Sequence, residues 1–589
     1  MRHFFSVKLS GVFRLPLWLT LLSAVLIALW AFEYGVPKTV VMYHAAVAFV
    51  FHFSLWFTAL ILRRFMGNRL ASVLVLTIGL SSLGLFYFLI FLSMNYWGDV
   101  ITVTIARSYV KALPQFLDSL PMERWLAVLL LLLPFLFVVT LLLLFRKKIA
   151  AQLDLGAKQL HWSSLALLAL MAILLSAGAV PTKRYLHLRG EPMLVFLFDK
   201  MWGWNNNPFF DVTRNEAGKR DAIAFQQYLR KPLNGNRKHV ILIVCDGLRA
   251  DHLGVYGYGR NTSPFLNHLV ENQQAIAVRD VYASGAATVI GVPSLLLSQY
   301  ATACSPYGFN LVKLLHAAGY NTHVLVSGAH REWYNIASFY LNDCDSYFDG
   351  KDSKLFYFKD DRVLKEGLRQ TVIKKDVPQF FYFHLQSPHE TALLRDTFAV
   401  FRPYKKGVGI AGETAAVNAY DNKIIQADAT IAELLQELDL LGVLKNAIVV
   451  VTSDHGEGLG EHGIWGHVDW LYQPQVKIPL IIADRELQYY KNREFARQID
   501  IAPTLVHRLG LPIPETWQGR SLGDTIAGEI TARMETGSSG LSTGRERKAE
   551  VVFSSKRYVK HIYGGGEKEE WYDLRTNPRE ERGKMKDER

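Results

Sequence analysis

The sequence predicts a multi-span α-helical membrane domain followed by an α/β domain with a mostly parallel central sheet. Three observations carry this expectation. Apolar residues crowd into five long blocks in the first third of the 589-residue chain. Farther on, Val240-Ile241-Leu242-Ile243-Val244-Cys245-Asp246-Gly247 and Ile448-Val449-Val450-Val451-Thr452-Ser453-Asp454-His455-Gly456 are β-branched runs, each ending in aspartate. Around them, strand-like and helix-like segments alternate. Continuous apolar runs are how central strands read when helices cover both faces of a parallel sheet.

The apolar blocks are 15–32, 39–62, 70–93, 126–145 and 163–180. Each has about the 17–25 residues that a helix needs to cross a bilayer. A cleaved signal peptide would account for only the first. Basic residues in short flanks set the orientation. Arg2, Lys8 and Arg14 precede the first block, and Arg63, Arg64 and Arg69 link the second and third. Arg146, Lys147, Lys148 and Lys158 link the fourth and fifth. The expected arrangement is a cytoplasmic amino terminus, a five-span domain over 1–182, a juxtamembrane linker over 183–237 and an extracytoplasmic domain over 238–589. The loop at 94–125 reads equally as an interfacial helix or as a plain covering loop.

A net charge of +12 fits this topology, with part of the excess in cytoplasmic loops. No nucleic-acid-binding motif accompanies it, so no nucleic-acid partner is expected. Anionic lipid head groups are the better counterpart. Three cysteines are too few for a zinc–thiolate site or a disulfide scaffold. Cys245 ends a buried strand, and the sequence leaves open whether Cys304 and Cys344 pair.

Beyond the linker, the expected helices cover 291–297, 311–318, 362–374 and 414–441. Strands are expected at 322–327, 379–385 and 480–483, besides the two that end at Asp246 and Asp454. Such alternation argues for an α/β domain. The Gly-, Ser- and Thr-rich stretch 528–548 reads as a mobile insertion.

Ligands in such sheets bind beyond the carboxyl ends of the strands. Asp246, Asp454 and His455 would meet there as oxygen and nitrogen ligands of a divalent metal; otherwise they are loop residues capping buried strands. In Ser284-Gly285-Ala286-Ala287-Thr288-Val289-Ile290-Gly291, a small-residue turn leads into an apolar helix and places Thr288 near its amino end. Backbone amides and the helix dipole favour negative charge at that position. A threonine hydroxyl needs a metal or a base to become a nucleophile, and without one Thr288 is only a helix cap. His389, on the turn after Phe383-His384-Leu385, and His467, twelve residues after His455, are placed to bind phosphate oxygens and protonate a leaving alkoxide. His384 and His462 read as scaffold.

Asp246-Gly247-Leu248-Arg249-Ala250-Asp251-His252-Leu253, continuing to Thr262-Ser263-Pro264, resembles the opening metal-ligand motif of the alkaline-phosphatase/sulfatase superfamily. Ser453-Asp454-His455-Gly456-Glu457 resembles its second motif. Five amino-terminal spans and a threonine nucleophile are similar to the membrane phosphoethanolamine transferases and the lipoteichoic-acid-synthase-like phosphoglycerol transferases. The resemblance implies a sulfatase-like fold with Asp246, Thr288, Asp454 and His455 as metal ligands. It implies Thr288 as the phosphorylated nucleophile and His389 and His467 as phosphate contacts. The chain departs from these patterns in places. The transferases usually have glutamate where Asp246 stands, and sulfatases a second aspartate at Gly247. Cys304-Ser305-Pro306-Tyr307-Gly308 lacks the arginine of the sulfatase Cys-x-Pro-x-Arg motif. The tail Trp571-Tyr572-Asp573-Leu574 nevertheless looks like that of many soluble sulfatases.

The expected function is transfer of a phospholipid head-group phosphodiester, phosphoethanolamine or phosphoglycerol, to an envelope glycan or lipid through a phosphothreonine. Carboxylates with imidazole and hydroxyl suit zinc or manganese better than calcium. The alternatives are a membrane-tethered phosphodiesterase or sulfatase, and a lipid-sensing pseudoenzyme.

Overall fold

The structure is a computed structural model describing residues 14–33, 38–67, 69–97, 124–158, 214–332, 336–357, 359–404, 413–468, 470–525, 529–536, 548–553, 558–563, 568–580 and 584–585, with isolated residues elsewhere. It divides into two compact units, one built mainly on Met1–Ser108 and Glu123–Trp204, the other on Asn205–Gly537 and Arg545–Arg589.

The first unit contains helices α1 (Arg14–Glu33), α2 (Lys38–Phe65), α3 (Arg69–Trp97), α4 (Arg124–Leu144) and α5 (Arg146–Lys158). Val41–Phe65 and Leu70–Ile90 are long and apolar enough to cross a membrane, and α1 and α4 carry the shorter apolar stretches Arg14–Leu29 and Leu131–Leu144. The fifth expected span, 163–180, and most of the 94–125 loop lie outside the described residues. Leu132, Leu133, Leu136 and Phe137 of α4 are all exposed, an apolar surface that a bilayer accommodates and water does not. Polar pairs tie the helices together. His52 Nδ1 lies 3.3 Å from Thr20 Oγ1, His44 Nε2 lies 2.7 Å from Tyr87 OH, and Arg63 Nε donates to Asp154 Oδ1 at 2.6 Å. Such pairs stabilise helix association where lipid removes the hydrophobic drive.

The basic flanks make a directional expectation. A reporter that works only outside the cytoplasm should be active when fused after Pro181 or at Arg589 and silent when fused after Lys148. The reverse pattern would contradict the proposed orientation.

The second unit is built on a seven-stranded sheet. Its strands are β1 (His239–Cys245), β2 (Ala275–Ala277), β4 (Asn321–Val326), β5 (Ser346–Asp349), β6 (Gln379–Leu385), β7 (Ala447–Ser453) and β10 (Leu480–Ala483); β3 (Asp280–Tyr282), β8 (Gly458–Leu459) and β9 (Trp465–Gly466) lie outside it. The order is β2-β10-β7-β1-β6-β4-β5. The five strands from β7 to β5 pair parallel, and β10 and β2 add an antiparallel edge. From Val240 through Cys245 every β1 residue is buried, as two covered faces require.

One face packs on α6 (Thr288–Leu297), through Ile290, Leu295 and Leu296, and on the helix Ile501–Arg508. The other packs on α7 (Glu413–Leu440), through Ile424, Ile431, Leu434 and Leu438. Each such side chain contributes about 1.5–3 kcal/mol relative to exposure. That burial fixes the three helices against the sheet and so fixes the carboxyl edge of the strands.

The segment read as a linker contains the helix Arg214–Tyr228, and Tyr228 packs edge-on against Phe309, centroids 5.0 Å apart. The stretch read as a mobile insertion is corrected in part. Ile530–Glu535 is a strand, the first of a five-stranded antiparallel sheet that continues to Lys584–Met585. Ile530, Ala532 and Met534 alternate inward onto a separate core with Tyr282 and Phe495, the period of two that marks a half-buried strand. Residues 537–547 lie outside the described set. Cys304 and Cys344 are separate thiols.

Candidate active site

Parallel register builds the site. Cys245 on β1 stands opposite Leu385 on β6 and Ser453 on β7. The next residue on each strand therefore leaves the sheet in one row: Asp246, Gln386 and Asp454. The Ser453 hydroxyl clamps two of these exits, accepting from Leu248 N–H at 2.9 Å and donating to the Cys245 carbonyl at 2.6 Å. Gly247, at φ +72°, turns the chain so that its N–H donates to Asp454 Oδ1 at 3.2 Å. The rest of the first motif is scaffolding. Arg249, buried, bonds Asp251 and Glu461, and His252 pairs with Asp421 at 2.8 Å.

Asp246, His384 and Asp454 are buried and hold one ligand atom each within 4.8 Å of one another. Among the described residues, Asp246 Oδ1, Asp454 Oδ2 and His384 Nε2 have no hydrogen-bond partner. Buried polar atoms without partners are costly, and converging ones fit a bound cation. His455 Nε2 lies 3.4 Å from Asp246 Oδ1 and 3.5 Å from Asp454 Oδ2. Its Nδ1 is engaged with the Gly456 carbonyl at 2.8 Å, which leaves Nε2 as an acceptor facing the carboxylates. His384, expected from the sequence to be scaffold, also reaches this cluster, its Nε2 3.9 Å from Asp454 Oδ2. Two carboxylates and two imidazoles thus fit a divalent transition metal.

Thr288 opens α6, and its hydroxyl is 3.2 Å from His455 Nε2. It is partly exposed in a helix whose other residues are all buried. Gly291, one turn on, lets α6 approach closely, since a Cβ there would fall 2.2 Å from the Asp454 carbonyl oxygen. His389 and His467 face the same edge. The His467 ring stacks on His455 at 4.3 Å and meets His389 edge-on at 5.0 Å. Thr391 N–H donates to His389 Nδ1 at 3.1 Å, so the ring proton of neutral His389 sits on Nε2. His462 stacks on Tyr472 instead.

Electrostatics divide the roles. Burial first, then Asp454, push the Asp246 carboxyl well above the ordinary range. For Asp454 burial works the same way, but His455, His384 and the Gly247 N–H outweigh it and hold the carboxyl below its usual value. Burial lowers His384 to about 4 and takes His389 well below its usual value. Burial opposes the charge on His467 too, yet Glu457, accepting from its Nδ1 at 2.9 Å, lifts it to about 9. Lys359 is lowered by burial to about 7, with Glu390 and Asp246 favouring its charge. One imidazole is therefore protonated and one is a neutral donor near neutral pH.

Glu457 and Gln386 reach the same edge without having been expected there from the sequence. Gln386 Nε2 donates to Asp246 Oδ2 at 2.9 Å. Glu457, two residues past His455 in the second motif, was the more legible. Replacing it with glutamine should lower the His467 pKa, because burial is then opposed by no carboxylate at that contact. The high-pH limb of kcat/KM should move to lower pH. An unchanged limb would show that protonated His467 is not required.

This edge belongs to an α/β domain in which buried carboxylates and imidazoles that could hold a metal stand beside a hydroxyl at a helix amino end. Residues 238–511 match the sulfatase family, and the chain carries a sulfatase-family domain of the alkaline-phosphatase superfamily. An N-acetylglucosamine-6-O-sulfatase of Bacteroides thetaiotaomicron is 30% identical over 27% of this chain and 30% of its own length. The phosphoethanolamine transferase EptA of Helicobacter pylori is 23% identical over 58% of this chain and 63% of its own. The chain thus spans less than two thirds of both relatives. The integral membrane lipooligosaccharide phosphoethanolamine transferase A from Neisseria meningitidis has a TM-score of 0.47 and 15% identity, covering 86% of this chain and 96% of that one.

Proposed function

We propose that this protein is an inner-membrane transferase that moves a phospholipid head-group phosphodiester onto an envelope glycan or lipid. The observation that carries this is the Thr288 hydroxyl at a helix amino end, 3.2 Å from His455 Nε2 and beside the buried acids. Asp246, Asp454, His455, His384 and Thr288 would hold a divalent cation, zinc or manganese. Bound there, it would acidify the Thr288 hydroxyl and offset charge on the phosphoryl oxygens.

The chain's own groups divide the remaining work. Thr288 Oγ attacks phosphorus and takes the head-group phosphodiester, and diacylglycerol leaves. His389, with its proton on Nε2, and protonated His467 hold the phosphoryl oxygens, and one of them protonates the leaving alkoxide. An acceptor hydroxyl or phosphate then attacks the same phosphorus and frees Thr288. A donor that is itself a lipid gives the membrane helices a purpose.

The match to the sulfatase family favours one second reading, a tethered phosphodiesterase or sulfatase with water as acceptor. Vesicles containing head-group-labelled phosphatidylethanolamine or phosphatidylglycerol, incubated with the full chain and envelope lipids, separate the two. Label recovered on a lipid or glycan supports transfer. Label released only as a free phosphomonoester supports hydrolysis.

A further inference from the structure

We propose that the cavity among α1–α5 seats one anionic phospholipid, with its phosphate on Arg14 and Lys148 and its acyl chains between α1, α3 and α4. This rests on the reading of 1–182 as a membrane domain. The cavity holds about 810 Å³. Its lining changes character along its length in the order that a phospholipid does.

Arg14, the first residue of α1, and Lys148 and Gln152, just past the end of α4, line the cavity, and Lys148 Nζ stands 5.9 Å from the Phe145 ring centroid. Farther along are Ser23 and His52, the latter fixed by Thr20. Thr20 lies six residues beyond Arg14, roughly 9 Å at helical rise, a depth suited to glycerol esters beneath a phosphate. Past them the wall is mainly hydrocarbon, with Leu26, Leu83, Leu133 and Phe137, and Tyr87 there has its hydroxyl held by His44.

Charge selects the head group. Among the described residues no aspartate or glutamate lines the cavity, and Asp154, the one acid in α5, is paired with Arg63 at 2.6 Å. Arginine and lysine at the end of a span extend their charge to the head-group layer while their stems lie on apolar surface. The cavity is also a built one. Gly84 lets α3 close on α4 where a Cβ would stand 3.1 Å from Pro134 Cβ, the small-residue approach that seals helix pairs in lipid. By the basic-flank rule its polar end is cytoplasmic, so this lipid is distinct from the donor consumed outside.

The test is native mass spectrometry of the full chain, released from nanodiscs containing equal phosphatidylglycerol and phosphatidylcholine. The wild type should retain one phosphatidylglycerol per chain. The double variant R14E/K148E should retain at least tenfold less. K147E, a charge change beside but outside the cavity, should behave as wild type. Because the charged positions are exposed, folding should survive; the milder R14Q/K148Q pair should give the same loss. Equal retention of phosphatidylcholine, full retention by either double variant, or an equal loss in K147E would overturn the proposal. A reversed reporter pattern would instead overturn the orientation and leave the lipid count unchanged.

Discussion

Thr288→Ala is expected to lower turnover by several orders of magnitude, the scale seen when a catalytic nucleophile is removed. Asp246, Asp454, His384 and His455 all remain in this variant, so metal binding should largely survive. Thr288→Ser should keep part of the activity, because the attacking oxygen is retained and only the methyl group that restricts its rotamer is lost. A residue that merely began a helix would behave differently. Ala287 holds the N-cap position of α6, so loss of such a residue's hydroxyl would leave chemistry unaffected. Near-normal turnover by folded Thr288→Ala would therefore contradict a covalent phosphothreonine.

The second large effect is expected at Asp454. Its Oδ1 accepts from Gly247 N–H and His455 N–H, at 3.2 and 2.9 Å, while Oδ2 is buried with no hydrogen-bond partner among the described residues. Asp454→Asn can place its carbonyl oxygen at the first position and so keep the loop. The second position then holds an uncharged NH₂, which repels a cation and donates where acceptance is needed. Bound metal, measured by elemental analysis, and activity should fall together while thermal stability changes little. Full metal occupancy in this variant would mean that the site lies elsewhere.

The two strands that carry Asp246 and Asp454 were legible because burial on both faces leaves a continuous β-branched run, which few other structures produce. Their acids were legible as a pair because ligand sites gather beyond the strand ends. Thr288 was legible through the small-residue turn ahead of its apolar helix. His384 was not: within Gln379–Leu385, where the neighbours are Phe381, Tyr382 and Phe383, a histidine reads as core. Only the register that sets it opposite Val244 shows how near it lies to Asp454. Gln386 escaped for the same reason, since its role depends on strand pairing rather than on local pattern. The carboxy-terminal sheet was hidden because Ile530–Glu535 shows only three inward residues and borders a Gly- and Ser-rich stretch.

Mass spectrometry of the full chain, incubated with phosphatidylethanolamine or phosphatidylglycerol and quenched before acceptor is added, reads the proposed intermediate on Thr288 itself. A covalent phosphothreonine requires a phosphoethanolamine or phosphoglycerol adduct on the peptide containing Thr288, absent in Thr288→Ala and discharged when acceptor is supplied. Turnover of either lipid with Thr288 unmodified at every time point would contradict it.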